Sequence, residues 1–68
     1  MRTGRIKYFN TSENFGYIVL FDGTEVYFHQ SGILNDGLIN SLNPGQDVCF
    51  DILETRSGPE AHNVDLVG

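Results

Sequence analysis

Turn-forming pairs recur along this chain at intervals too short for helices. They are Asp22-Gly23, Asp36-Gly37, Asn43-Pro44-Gly45 and Ser57-Gly58-Pro59, with short runs between them. Within the runs apolar side chains alternate with polar ones, and no stretch carries a 3.6-residue period. That spacing predicts an all-β chain. The runs are Thr3 to Asn10, Phe15 to Phe21, Glu25 to Gln30, Asp47 to Glu54 and His62 to Val67. Ser12-Glu13-Asn14 turns the chain after the first, and Asp22-Gly23 reads as a two-residue hairpin turn after the second. The stretch from Ser31 to Gly45 is less regular, with one helical or 3₁₀ turn expected near Ser31–Leu34. Five short strands in 68 residues leave exposed edges unless the sheet closes. The expected architecture is therefore a single domain, 1–68, built as a five-stranded antiparallel barrel.

Composition removes several function classes. A domain of this length has little depth for an enzymatic cleft, because small domains bury a modest fraction of their surface. No Ser/His/Asp or Cys/His constellation stands out, and no glycine-rich loop is placed to cradle a phosphate. Cys49 is the only cysteine, so no internal disulfide is available. With His29 and His62 it makes too sparse a set for a structural metal site, so neither metal nor cofactor is expected. Cys49 is placed outward between Asp47 and Asp51, where neighbouring carboxylates disfavour a reactive thiolate. His62 is read as exposed, and Asp47, Asp51 and Glu54 as a solvated strand face. The basic N-terminus is not followed by an apolar stretch, so no signal peptide is expected, and no run is long enough for a membrane span. The expected compartment is the cytoplasm.

The net charge is −5, which alone argues against broad phosphate binding. The bases are unevenly placed, however. Arg2, Arg5 and Lys7 fall in the first seven residues, and Arg56 stands apart.

Side-chain parity raises the functional question. In the second and third runs the even positions Gly16, Ile18, Leu20, Val26 and Phe28 make a sensible core. The odd positions Phe15, Tyr17, Tyr27 and His29 then face outward. Periodicity alone leaves two accounts of them. They form a platform for stacking unpaired bases, or a second apolar layer covered by the Ser31–Gly45 loop.

Four segments carry a family resemblance. Gly4-Arg5-Ile6-Lys7-Tyr8-Phe9-Asn10, Asn14-Phe15-Gly16-Tyr17-Ile18, Val26-Tyr27-Phe28-His29 and Arg56-Ser57-Gly58-Pro59-Glu60-Ala61-His62-Asn63-Val64 together resemble the cold-shock domain across essentially the whole chain. The resemblance implies an OB-fold barrel that binds single-stranded RNA and DNA, acts as an RNA chaperone and influences transcription or translation. It assigns Phe15 and Tyr17 to the first ribonucleoprotein motif and Tyr27 and His29 to the second. Lys7, Glu25 and Arg56 match a family lysine, acid and arginine. Tyr8 stands where tryptophan is usual, Gln30 where phenylalanine extends the stacking surface, and Leu38 where the loop often carries another aromatic. Glu13-Asn14 replaces Lys-Gly, reversing one charge. These departures imply weaker, more salt-sensitive binding. They also support an alternative, a barrel of the same fold that has lost most nucleic-acid affinity and serves as a protein-interaction module. A monomer is expected, and a strand-swapped dimer is compatible with either reading.

Overall fold

The computed structural model describes residues 2–35, 37 and 42–67. Five strands, β1 (Arg2–Asn10), β2 (Phe15–Val19), β3 (Glu25–His29), β4 (Asp47–Thr55) and β5 (Gly58–Leu66), form a closed barrel in the order β1-β2-β3-β5-β4. A 3₁₀ turn occupies Gln30–Gly32, slightly ahead of its expected place. The all-β barrel expected from the turn spacing is present, with one seam to correct. Four neighbouring pairs are antiparallel, but β3 and β5 run parallel, with Tyr27 opposite Glu60. A closed ring with an odd number of strands cannot alternate direction at every seam, so one parallel pair is unavoidable. Ile33 extends that seam by bridging to Val64.

The β2–β3 hairpin follows strict parity. Ile18, Leu20, Val26 and Phe28 are buried with Ile6, Ile33, Leu42, Val48, Phe50, Ala61 and Val64, while Phe9, Ile52 and Leu66 pack against them. Full burial of an apolar side chain of this size is worth roughly 1.5–3 kcal/mol, so Phe28 and Phe50 anchor the barrel. The loop is one residue longer than the expected two-residue turn. Leu20 N–H donates to the Thr24 carbonyl at 2.8 Å, leaving Phe21, Asp22 and Gly23 between them. Gly23 takes φ +90°, the left-handed residue such a loop requires. The extra residue sets the register. A two-residue loop would put Phe21 opposite Thr24 and hence Tyr17 opposite buried Phe28, whereas the observed pairing is Tyr17 with Tyr27 and Gly16 with Phe28.

Two strands break parity. The β1–β2 register shifts between Ile6 and Tyr8, making Lys7 the extra residue of a bulge. Ile6 points inward, Lys7 and Tyr8 both lie exposed, and Phe9 returns inward to stack on Phe28, with ring centroids 5.5 Å apart and planes 14° apart. Simple alternation would have buried Tyr8 beside Ile6 and exposed Phe9. Gly16 lies between Phe9 and Phe28 in the sheet. A Cβ there would stand 2.3 Å from the Tyr8 carbonyl oxygen and 2.9 Å from the Phe28 ring.

On β5 the register against β4 shifts between Cys49 and Asp51. Asn63 takes φ +56° at that point, so Ala61 and Val64, three positions apart, are both buried. Asn63 Nδ2 donates to Asp51 Oδ2 at 3.0 Å. Asp51, expected to serve only as a solvated acid, thus braces the bulge. β5 also begins at Gly58, four residues before its expected start, because the hairpin with β4 closes at Thr55 opposite Gly58. β2 ends at Val19, two residues early, where the hairpin loop takes over. His62 is half-buried rather than exposed. Its Nε2 is sequestered 3.0 Å from Glu60 Oε1, in contact distance but without the alignment of a hydrogen bond.

Candidate nucleic-acid interface

The outer faces of β1, β2 and β3 bring four aromatic rings together. Phe15 and Tyr17 lie on β2, Tyr27 faces Tyr17 across the β2–β3 seam, and the Lys7 bulge turns Tyr8 onto the same side. Neighbouring centroids are 5.7 to 6.2 Å apart. Phe15 and Tyr27 lie nearly parallel, at 24°, while Tyr17 stands at 74° to Tyr27 and 83° to Phe15. Edge-to-face packing fixes each ring against its neighbours and leaves part of its π surface uncovered. The rings are half-buried, apart from the more exposed Tyr8. Of the loop that the second account would lay over these rings, residues 36 and 38–41 lie outside the described residues.

His29 ends β3 opposite Phe15 and is exposed. Ser31 N–H donates to its Nδ1 at 3.1 Å, and Ser31 Oγ lies 3.0 Å from the same atom. A ring nitrogen that accepts from a backbone N–H carries no proton. In the neutral ring the proton therefore sits on Nε2, which is left as a donor. Gln30, half-buried at the start of the 3₁₀ turn, sends its backbone N–H to the Asn14 carbonyl at 2.8 Å. That bond ties the β1–β2 turn to the end of β3. Asn14 takes φ +63° there, a conformation asparagine tolerates better than other side chains, which explains how the turn forms without glycine.

The electrostatics are balanced rather than basic. Lys7 Nζ donates to Glu25 Oε2 at 2.8 Å, and this bond, reinforced by the carboxylate's charge, raises the lysine pKa above its ordinary value. Arg5 Nε meets Asp47 Oδ1 at 3.0 Å. Arg56 is exposed in the β4–β5 turn and forms no ion pair with a described residue. It precedes the Gly58 end of β5, which the parallel pairing of Tyr27 with Glu60 places level with the Glu25 end of β3. Glu13 is exposed in the β1–β2 turn. Leu38 lies outside the described residues.

The structure thus brings together Lys7, Tyr8, Phe15, Tyr17, Glu25 and Tyr27, with His29 and Gln30 at one end. Sequence reasoning stopped at Tyr17 on β2, although the outward parity continues to Val19 and on toward Phe21. The signal was present as two further apolar residues at odd positions.

A closed five-stranded barrel with aromatic rings on its second and third strands defines a small OB-type barrel of the cold-shock kind. The sequence matches the 'Cold-shock' DNA-binding domain family over residues 2–67. It is 48% identical over 61 residues to the cold shock-like protein CspC of Bacillus cereus, covering 90% of this chain and 92% of that one. It is 42% identical over 64 residues to the cold shock protein CspD of Bacillus subtilis, covering 94% and 96%. The chain belongs to the cold-shock domain family.

Proposed function

We propose that the chain binds single-stranded RNA and DNA on the outer face of β1–β3 and acts as an RNA chaperone in the cytoplasm. The observation that carries this reading is the cluster of Tyr8, Phe15, Tyr17 and Tyr27 on three adjacent strands of a family barrel. Each ring offers a π face that any base can use, worth about 1–3 kcal/mol per base by truncation. Nε2–H of His29 adds a donor for a base edge or phosphate. Glu25 accepts only from amino or imino groups, which gives mild base preference rather than a code. The mechanism is passive. Captured unpaired bases are withdrawn from the folding equilibrium of the RNA by mass action, without nucleotide hydrolysis. Through such structural shifts the protein influences transcription or translation.

Lys7 must exchange Glu25 for a phosphate, so the electrostatic share is small. Neutralising about two or three phosphates gives a log–log salt slope of roughly −1.5 to −2 on single strands. The neutral pairing of Lys7 and Arg5 is also the observation that favours the second reading, a protein-interaction module with little nucleic-acid affinity.

Salt separates the two. All three tyrosines of the chain stand on the platform and there is no tryptophan, so intrinsic tyrosine emission reports from this face alone. Oligo-U and oligo-dT titrations at low and moderate salt are expected to quench that emission with an affinity that weakens as salt rises. Phe15→Ala and Tyr27→Ala are each expected to cost about 1–3 kcal/mol of binding with little loss of stability. No quenching at low salt excludes the nucleic-acid reading.

A further inference from the structure

Phe21 is fully exposed at the tip of the β2–β3 hairpin. The loop that carries it is held by hydrogen bonds. Leu20 and Thr24 close the loop beneath it, Gly23 N–H donates to the Leu20 carbonyl at 3.0 Å, and Asp22 Oδ1 accepts from Thr24 N–H at 2.9 Å. A hydrogen-bonded loop that presents a ring to water loses little backbone entropy when something stacks on that ring. A groove of about 670 Å³ lies beside it, lined by Arg5, Val19, Phe21, Asp47 and Val67 among others. A smaller one of about 400 Å³ is bordered by Arg2 and Asp22.

This surface is continuous with the platform. Phe15, Tyr17 and Val19 occupy the outward positions of β2, and the strand leads directly into Phe21. Tyr17 and Phe21 are four residues apart, about 13 Å at strand rise. Arg5 pairs with Val19 across the β1–β2 seam, Lys7 follows on the same side, and Arg2 borders the second groove. Arg5 and Lys7 therefore lie along β1 between the platform and the hairpin tip, and Arg2 stands at the tip itself. Asp47 and Glu25 pair with two of them, and Asp22 lies beside the third, so the path is neutral overall. Its pull on a nucleic acid comes from the ring, with the cations available to phosphates that displace the carboxylates.

We propose that Phe21 is an additional base-stacking subsite, which engages the same single strand after it leaves the platform past Lys7 and Arg5. The inference rests on the nucleic-acid reading of the platform and lengthens its footprint. A strand that reaches only the aromatic cluster does not touch Phe21, whereas a longer one gains a further stack.

The test is the length dependence of affinity in wild type and Phe21→Ala, using oligo-U of about 4 and about 10 nucleotides, within the site sizes of such barrels. The variant is expected to match wild type on the short oligomer and bind the long one about five-fold more weakly, the low end of one base–aromatic stack. Phe21→Tyr is expected to restore the long-oligomer affinity. Equal affinities at both lengths overturn the proposal, and so does an equal loss at both. Sedimentation of wild type and Phe21→Ala without nucleic acid is the control. A dimer that only wild type forms makes the hairpin tip a self-interface instead. If wild type binds neither oligomer, the platform reading itself has failed, and the result is distinct from failure of the Phe21 subsite alone.

Discussion

The β2–β3 hairpin and strand β1 contribute to the same aromatic face by opposite routes. In the hairpin every side chain follows the period of two, with Ile18 and Phe28 inward and Tyr17 and Tyr27 outward. On β1 the period is broken once, at Lys7, and the break alone decides that Tyr8 joins the platform while Phe9 joins the core. A regular strand displays a face that is already written in its alternation. A bulged strand can supply two adjacent residues, here a cation and an aromatic, to one side of the sheet.

The two regions meet at Gly16. Gly16→Val is expected to cost about 3 kcal/mol or more, because the new side chain meets the Tyr8 carbonyl and the Phe28 ring, and the backbone contact cannot rotate away. Denaturant unfolding measures it, and a near-neutral result would contradict the close approach of β1 to β2. Next come the neighbours Tyr8 and Phe9. Phe9→Ala is expected to lose about 2–3 kcal/mol of stability, less than a fully buried phenylalanine, while Tyr8→Ala stays near wild type in stability and loses about five-fold or more in oligonucleotide affinity. If the two exchanged roles, β1 would be a regular strand with no bulge at Lys7.

The second bulge allows a smaller test. Asn63→Ala is expected to destabilise by about 1–2 kcal/mol, through the left-handed backbone and loss of the bond to Asp51. Asn63→Gly is expected to lose less, about 0.5–1 kcal/mol, since glycine adopts the conformation freely and forgoes only the bond to Asp51. Equal losses for both would assign the effect to the hydrogen bond alone.

The smallest effect concerns Lys7 and Glu25. Their pairing favours the charged amine, so its contribution is present below the ordinary lysine value of 10.5 and fades as pH rises through the raised one. Glu25→Gln is expected to return the Lys7 titration, followed by NMR, toward that ordinary value. It is also expected to strengthen oligonucleotide binding at low salt. An unchanged titration would mean that the carboxylate does not govern this lysine in solution.

Much of the platform was legible before any coordinates. Phe15, Tyr17, Tyr27 and His29 follow from parity in two short strands, and parity is a local property of the backbone. Tyr8 was reached through family resemblance and not through its own pattern, which points the wrong way. Asp22-Gly23 has the chemistry of a two-residue turn, but the loop closes between Leu20 and Thr24 and takes in Phe21 as well. Asp51 and His62 looked like solvent-facing residues because nothing near them in sequence reveals the bulge at Asn63.

Alternation and turn chemistry act over a few residues, and so the all-β class, the strand order along the chain and the inward set of the hairpin can be read from local residue patterns. The bulges, the loop register and the parallel β3–β5 seam belong to the tertiary structure. Ile6 is held from one side by Gly45 and Gln46, through bonds of 2.8 and 2.9 Å, and from the other by Ile18. A strand pinned between two distant partners accommodates both registers by ejecting one residue, and Lys7 is the one ejected. The parallel seam has a similar origin, since five strands can close on one another only by running together once.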